Sequence, residues 1–216
     1  MDSQIQIEIR KAKLEDIFHI KPLMEATFGP FKKIHEFFEK WIADDNFSVQ
    51  VAVVKDEIIG VCTWGAKSGN ELPKYETFGQ HAVEFIKDKK VALVLNLAVK
   101  PQYRKQGLGK KLSFAHLEWL VKQNCSIVLG SSWVHGTEDN SQHLFLKGGF
   151  KKIGESRDYY RVQMQHGGIC SVCKSSDCNC NSILFGVETS TLINKMNSLT
   201  KTTPFPVNIK SGFELI

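Results

Sequence analysis

The pattern of apolar and polar positions predicts strands and helices that alternate around a sheet. The segment IQIEIRKA, at 5–12, has the two-residue period of a half-buried strand, and KLEDIFHIKPLMEATF, at 13–28, repeats apolar residues at helical spacing. A second amphipathic helix is predicted over 31–42. Two strands joined by a turn at 55–57 follow, and the apolar run VALVLNLAV, at 91–99, predicts a buried strand.

The same alternation continues in the second half of the chain. A helix is predicted from Gly107 to near Asn124, a strand in CSIVLGSSWV, a short helix in NSQHLFLKGGF, and one or two final strands in KKIGESRDYYRVQM. The order is strand, two helices, several strands, helix, strand, helix and strands. It predicts an α/β (α+β) fold around one central sheet.

A change of composition after Met164 divides the chain into two predicted parts. QHGGICSVCKSSDCNCNS is rich in Gly, Ser and Cys, and about thirty further residues show weak periodicity with many Ser, Thr and Asn. We therefore expect a main domain over 1–164 and a small cysteine-rich C-terminal extension over 165–216. The pattern leaves open whether the last thirty residues are ordered.

Composition restricts the class of protein. Of the 216 residues, 42% are hydrophobic and 24% are charged, which is typical of a soluble globular protein. The N-terminus lacks the apolar core of a signal peptide, and the apolar run at 91–99 is too short to span a bilayer, so we expect a cytoplasmic location and no membrane partner. The net charge of +5 suits an anionic ligand but does not indicate nucleic-acid binding.

The segment that follows the apolar strand has the chemistry of an anion site. In AVKPQYRKQGLGKKL, at 98–112, Gly107 and Gly109 lie where the chain enters the next helix. Backbone N–H groups and the helix dipole at such a start attract anions, and glycine allows close approach. Positive charge is added by Arg104, Lys105, Lys110 and Lys111. The spacing fits neither a P-loop nor a dinucleotide fingerprint, and the expected ligand carries a pyrophosphate.

The pattern R-x-x-G-x-G at 104–109, with LAV ahead of it and GGF behind it, resembles the acetyl-CoA-binding motif of the GNAT superfamily of N-acetyltransferases. The resemblance extends from about Ile5 to Met164, since IRKAKLEDIFHI is similar to the family's opening strand and helix and SQHLFLKGGFKKIG to its closing ones. It implies a mixed central sheet flanked by helices. It also implies an acyltransferase in which a neutral primary amine directly attacks the acetyl group of acetyl-CoA.

The resemblance also implies where the cofactor binds. The backbone of the signature strand would pair with the pantetheine arm, and the N–H groups of the glycine loop would hold the pyrophosphate. The strand after Cys125 would splay away and open a slot for the thioester. The implied cofactor-binding residues are Leu97, Ala98, Val99, Arg104, Lys105, Gln106, Gly107, Leu108, Gly109, Lys110, Asn140 and Phe145.

The catalytic groups depart from the family's pattern. Many members have a tyrosine as thiolate acid five residues before the phenylalanine of the G-F pair, but that position here is Phe145, which packs against CoA or the core and cannot donate a proton. Asn96, on the signature strand, can orient a water but cannot act as a base. The remaining candidates for proton transfer are His135, Glu138, Tyr159 and Tyr160. The alternative interpretations are an exposed surface histidine and tyrosines that pack in the core.

Four of the six cysteines form the pattern C-x₂-C-x₄-C-x-C, namely Cys170, Cys173, Cys178 and Cys180. Four thiolates match tetrahedral zinc and leave no open coordination position, so we predict a structural Zn²⁺ site. An iron–sulfur cluster, reversible disulfides and independent thiols are the alternatives. Cys62 and Cys125, in strand-like surroundings, are predicted to be buried apolar residues.

Two other functions compete with N-acetyl transfer. A non-catalytic acyl-CoA-binding protein whose zinc-bound tail docks a partner would explain the missing acid tyrosine. A zinc-dependent nucleic-acid protein would need a clustered basic face, whereas the lysines of the tail are scattered. For the acetyltransferase, the acceptor is an amine-bearing small molecule, peptide or protein; the sequence leaves open which one, the oligomeric state and whether the acyl group is strictly acetyl.

Overall fold

A mixed sheet organises the computed structural model, which describes residues 6–134, 141–157, 159–164 and 168–202. Its strands are β1 (Glu8–Lys11), β2 (Phe47–Val54), β3 (Glu57–Ser68), β4 (Lys90–Val99), β5 (Ile127–Val134), β6 (Lys151–Ser156) and β7 (Asn181–Glu188). Their order in the sheet is β1-β2-β3-β4-β5-β7-β6. Only β4 and β5 pair in parallel among these strands; the other neighbours are antiparallel. The predicted mixed α/β fold is confirmed.

Helices cover both faces of the sheet. They are α1 (Ile17–Phe28), α2 (Ile34–Ala43), α3 (Gln80–Ile86), α4 (Leu108–Phe114), α5 (Leu117–Lys122), α6 (Gln142–Lys147), α7 (Tyr159–Met164) and α8 (Thr189–Thr202). The apolar residues of α1 and α2 pack on one face of β2 and β3, and those of α4, α5 and α8 pack on the other. Within the described ranges, no helix combines the length and hydrophobicity needed to cross a membrane.

The β2–β3 hairpin forms where the sequence predicts a turn. Val54 lies opposite Glu57, so the connection contains only Lys55 and Asp56. Both of these residues have positive φ, at 46° and 66°. Two left-handed residues give a tight turn whose twist matches that of the paired strands.

The C-terminal part of the sheet differs from the prediction. Residues 151–164 contain one strand, β6, followed by a helix, α7, which carries Tyr159 and Tyr160. The remaining strand, β7, comes from the segment predicted as an extension and lies between β5 and β6. The composition change after Met164 therefore falls between α7 and β7, and residues beyond it complete the sheet.

The core contains one buried ionisable ring. His116, between α4 and α5, is fully buried and stacks on Trp64 with ring centroids 5.1 Å apart and planes 8° from parallel. Neither ring nitrogen has a hydrogen-bond partner within the described residues. Burial lowers the pKa of His116 to about 3, and the nearby backbone of Cys62 offsets only part of this effect. Cys62 and Cys125 are buried, as predicted.

We expect the free energy of unfolding to rise with pH between about 3 and 6.5. The ordinary pKa of histidine, 6.5, applies to the unfolded chain, whereas His116 in the folded protein titrates at about 3. Within this window the unfolded state binds the extra proton, so His116 contributes a slope of at most about 1.4 kcal/mol per pH unit. This contribution is complete above pH 6.5 and is lost as the pH falls. Urea unfolding at several pH values measures it.

The matched variant is His116→Phe, which keeps an aromatic ring against Trp64 and removes the titration. Subtracting the pH profile of this variant from that of the wild type removes the contribution of carboxylates such as Asp16. Burial raises the pKa of Asp16, but hydrogen bonds from Arg10 and the Lys13 backbone lower it by more, so it lies below its ordinary value. Equal slopes in the two proteins would show that His116 is not neutral and buried in the folded state.

Candidate active site

The parallel strands β4 and β5 separate part-way along their length. They pair only from Val91 to Val94 and from Ile127 to Gly130. Beyond these residues, β4 continues through 95–99, where its pairing is with β3, and β5 continues through 131–134, where its pairing is with β7. Within the described part of the chain no strand pairs between these two segments. We call the opening between 95–99 and 131–134 the fork.

A bulge in β4 lies at the base of the fork. Thr63 on β3 lies opposite Asn96, but the next residue, Trp64, lies opposite Val94, so Leu95 is an extra residue in β4. A bulge bends its strand and increases the local twist, which directs the upper part of β4 away from β5. The residues predicted to pair with pantetheine occupy this upper part: Leu97, Ala98 and Val99.

The glycine turn connects the end of β4 to α4. Residues 104–107 are exposed, whereas Leu108, the first residue of α4, is buried and anchors the helix in the core. Gly107 has φ 77°, in the left-handed region, and a Cβ there would meet nothing within 4 Å, so the backbone conformation is what requires glycine. The first N–H groups of α4 have no acceptor within the helix. The turn is thus an exposed loop that leads from the end of β4 into the N-terminus of α4.

Contacts between the turn and β4 bring the predicted cofactor residues together. A Cβ on Gly109 would lie 3.2 Å from Cδ2 of Leu97, so glycine lets the start of α4 approach the strand. Arg104 Nε donates to the carbonyl of Val99 at 2.8 Å. Lys110 directs its ammonium over the ring of its own helix's Phe114, 5.3 Å from the centroid. Arg104 thus ties the turn to the strand end.

Phe145 closes one side of the fork. A Cβ on Gly130, the last β5 residue paired with β4, would lie 2.2 Å from Cε1 of Phe145. The ring stacks on Phe185 at 5.3 Å and meets the edge of Phe150 at 5.2 Å. The position at which the family pattern would place an acid is thus at the base of the fork, and here it is apolar. The signal for this contact is the single glycine inside an apolar strand, which indicates close approach of another group.

Polar groups lie on the opposite face of β4. Asn96 alternates with Leu97 and so shares a face with Ala98, on the side covered by α1 and α2. It is 9% exposed, and its Oδ1 has no hydrogen-bond partner within the described residues. The hydroxyl of Thr63, opposite Asn96 on β3, is likewise unsatisfied there. Buried polar atoms of this kind are costly unless a water or a ligand satisfies them.

Tyr160 lies on this second face at the β5 side of the fork. Its ring lies 6.0 Å from that of Trp133, on the part of β5 beyond the paired region. Burial raises the pKa of Tyr160 above its ordinary value, and the side chains of Ser131 and Ser182 offset only part of that effect. Tyr160 is therefore a neutral hydroxyl at physiological pH and retains a proton to donate.

Tyr159 occupies different surroundings. It packs at 4.9 Å from the ring of Phe78 and 5.9 Å from that of Tyr75, in a buried aromatic cluster under α3. Burial raises the pKa of Tyr75, and the neighbouring Tyr159 adds to the shift. Of the two predicted tyrosines, Tyr160 is the one in contact with a fork residue. The other candidates, His135, Glu138 and Asn140, lie outside the described residues.

The four sulfurs of the cysteine pattern converge. All of them lie within 4.8 Å of one another, and Cys173 Sγ is 3.5 Å from Cys180 Sγ and 4.0 Å from Cys178 Sγ. Tetrahedral zinc with Zn–S bonds of about 2.3 Å requires sulfurs about 3.8 Å apart, whereas a disulfide requires about 2.05 Å. The backbone N–H of Cys173 donates to Cys170 Sγ at 3.3 Å, a contact that stabilises a thiolate. The donor set therefore fits a metal.

The chain matches a family model described as "Acetyltransferase (GNAT) family" over residues 14–150. No curated protein gives a significant match. Solved structures with the same fold include Arabidopsis thaliana NAA60 in complex with acetyl-CoA, at a TM-score of 0.64 and 17% identity, covering 85% of this chain and 98% of that one.

Two further similar structures come from microorganisms. The ribosomal-protein-S18-alanine N-acetyltransferase of Escherichia coli has a TM-score of 0.57 and 15% identity, covering 85% of this chain and 94% of that one. Ard1 from Thermoplasma volcanium has a TM-score of 0.56 and 17% identity, covering 85% and 98%. At these identities the likeness concerns the fold.

We expect Gly130→Ala to lower the free energy of unfolding by about 1–3 kcal/mol, the usual cost of overpacking. The new methyl group would collide with Phe145, which Phe185 and Phe150 hold in place. The double variant Gly130→Ala/Phe145→Leu should lose less free energy of unfolding than the sum of the losses in the two single variants, because leucine leaves room for the new methyl group. Urea unfolding of the four proteins measures this coupling, and strict additivity would show that the two residues do not touch.

Proposed function

Because the chain belongs to the GNAT family of acetyltransferases, we propose that it transfers the acetyl group of acetyl-CoA to a primary amine by direct attack of the neutral amine. The observation that carries the proposal is the fork, which opens directly beside the glycine turn. A strand edge and an anion cradle at one end of the sheet suit a ligand with an amide-containing arm and a pyrophosphate. The similar NAA60 structure contains acetyl-CoA, which supports this cofactor.

The end of β4 and the glycine turn would bind different parts of the cofactor. The main chain of 97–99 would pair with the pantetheine amides as an added strand, and the N–H groups of 105–110 would hold the pyrophosphate. The thioester would then lie in the fork, between the bulge at Leu95 and Ser131. Arg104 contributes by fixing the turn to Val99.

The chemistry needs a proton acceptor for the amine and a donor for the departing thiolate. Attack forms the C–N bond, and the amine gives its proton to water. Collapse of the tetrahedral intermediate breaks the C–S bond, the thiolate takes a proton from the donor, and water returns a proton to the donor. We assign the donor role to Tyr160, because its neutral phenol borders the fork whereas Phe145 has no proton to give. Asn96 Oδ1 would accept a hydrogen bond from the amine or from a water, which orients it without acting as a base.

The acceptor is an amine-bearing small molecule, peptide or protein, and one similar structure favours a protein or peptide. The Escherichia coli enzyme is named for an alanine of a ribosomal protein, and the similarity covers 85% of this chain. The far end of the fork is lined here by aromatic rings, with Phe28 and Trp133 at 6.5 Å. Such a rim suits an acceptor with an apolar side chain beside its amine.

We also propose that the four cysteines bind structural Zn²⁺. Their separations match a tetrahedral site, and four protein ligands leave no position for substrate. Zinc would cross-link a segment that has little regular secondary structure, and it would take no part in acetyl transfer. A zinc–thiolate site persists in a reducing compartment, in agreement with the cytoplasmic location that we propose.

We expect the wild-type protein to release free CoA from acetyl-CoA in a panel of small amines, peptides with free N-termini and lysine peptides.

We expect the variant Gly107→Val to bind acetyl-CoA at least about tenfold more weakly than the wild type. Valine in the left-handed region costs about 1–2 kcal/mol, and the turn would rearrange to avoid it. Thiol detection measures transfer, and calorimetry measures binding.

The matched control is Gly79→Val, which also replaces a glycine of positive φ, at 94°, in open space before a helix. With ψ at 169°, Gly79 lies in a region open essentially to glycine alone, so the variant should lose at least as much stability and still keep its affinity for acetyl-CoA. Tight acetyl-CoA binding without CoA release for any amine would favour the alternative, a non-catalytic acyl-CoA-binding protein, which the apolar Phe145 at the base of the fork also fits.

Tyr160→Phe should lower kcat by about 10²-fold, the usual size of a general-acid contribution, with little change in acetyl-CoA affinity. Tyr159→Phe removes a hydroxyl of the same kind from the aromatic cluster under α3 and should leave kcat nearly unchanged. Steady-state kinetics of both variants provide the comparison. Equal losses in the two variants, or none in Tyr160→Phe, would place the thiolate acid elsewhere.

A further inference from the structure

We propose that the metal site of Cys170, Cys173, Cys178 and Cys180 is a positioning device for the acceptor side of the fork. On this proposal, which rests on the proposed function for its kinetic part, metal loss impairs use of the acceptor and leaves acetyl-CoA binding nearly unchanged. Three structural elements around the fork are in contact with the cysteine segment, residues 168–180.

The first element is the connection between α1 and α2. The N–H of Ile169 donates to the carbonyl of Pro30 at 3.1 Å, and Phe31 forms an isolated antiparallel bridge with Gly168. A Cβ on Gly29 would lie 2.1 Å from the carbonyl oxygen of Ile169, so main chain packs directly on main chain. The α1–α2 connection is therefore held in place by the cysteine segment.

The second element is the end of β5. Trp133, two residues beyond the start of the fork, packs against the cluster of buried cysteines. Its ring also lies 6.5 Å from that of Phe28 at the end of α1 and 6.0 Å from that of Tyr160. Trp133 thus contacts the cysteine segment, the end of α1 and α7, which all lie on the acceptor side of the fork.

The third element is α7, which carries the proposed acid. Tyr160 and Met164 pack against the same cysteine cluster, and α7 precedes the cysteine segment in the chain. A shift of this segment would consequently displace the Tyr160 ring from Trp133 at the fork.

The acetyl-CoA side is held by other contacts. Leu108 and Leu112 anchor α4 in the core on the far face of the sheet, Gly109 packs on Leu97, and Arg104 binds the end of β4. These contacts do not involve the cysteine segment. The two halves of the fork therefore depend on different parts of the fold.

The cysteine segment has little regular structure with which to hold its shape. Apart from the bridge at Gly168, the described residues 168–180 form neither helix nor strand, and the main-chain bonds inside the segment include Cys170 to Ser175 and Lys174 to Cys170. Metal binding by such a segment supplies most of its folding free energy. Without the metal, four closely spaced thiols remain, and the contacts to 27–31 and Trp133 lose their support.

The test uses the full chain with Cys173→Ser, at the least buried of the four ligands, and Cys125→Ser as a matched control at a cysteine outside the cluster. We expect one zinc per chain in the wild type and the control, and loss of zinc from Cys173→Ser. Hydrogen exchange at 27–31 should rise in Cys173→Ser, and the acceptor KM should rise by at least about tenfold. The Kd for acetyl-CoA should change by less than about threefold.

Each contrary result has its own meaning. Wild-type protein without zinc would overturn the metal site, and unchanged exchange at 27–31 after zinc loss would overturn the positioning role. An equal loss of acetyl-CoA affinity would identify the metal as a general stabiliser and would also overturn that role. If Cys173→Ser does not fold, zinc is removed from the wild type with a thiol-directed mercurial and then restored, with the same readouts. A protein inactive with every amine would contradict the proposed function, whereas zinc content, exchange and acetyl-CoA binding would still decide the positioning role.

Discussion

The interruption of hydrogen bonding between β4 and β5 is the constraint on which the rest of the structure depends. Two central strands of a sheet normally satisfy each other's backbone groups, and here they do so only up to Val94 and Gly130. The extra residue at Leu95 bends β4 while β3 keeps its other edge paired. The exposed edge of β4 is thereby preserved as a binding surface inside an otherwise continuous sheet.

The strand β7 makes this separation possible on the β5 side. It pairs with β5 along the whole of Ile127–Val134, so the segment 131–134 stays extended although it has left β4. This support comes from residues 181–188, beyond the cysteine segment. The cysteine segment therefore lies in the chain between α7 and β7, an interior strand of the sheet.

The sequence predicts the local features of the site well and the non-local ones poorly. The strand at 91–99 and the turn at 104–109 depend on short-range apolar and glycine patterns, and both occur where expected. The helix at 159–164 was not predicted, because DYYRVQM carries β-favouring tyrosines and its helical packing is decided by contacts with β7 and 73–78. The position of β7 between β5 and β6 is likewise a long-range choice that no local pattern encodes. Gly130 signals a close contact but not that Phe145 makes it.

The two faces of the fork differ in chemistry, and this difference links the proposed acid to the cysteines. On the face of Phe145, three packed phenylalanine rings occupy the base of the fork. On the other face, Tyr160 and Asn96 supply hydrogen-bonding groups, and Tyr160 stands on a short helix that ends four residues before the first described residue of the cysteine segment. A six-residue helix has little stability of its own, so its orientation must come from tertiary contacts. Those contacts include Trp133 and the cysteine cluster. If Tyr160 donates the proton, the orientation of α7 consequently depends on a rigid cysteine segment after the helix.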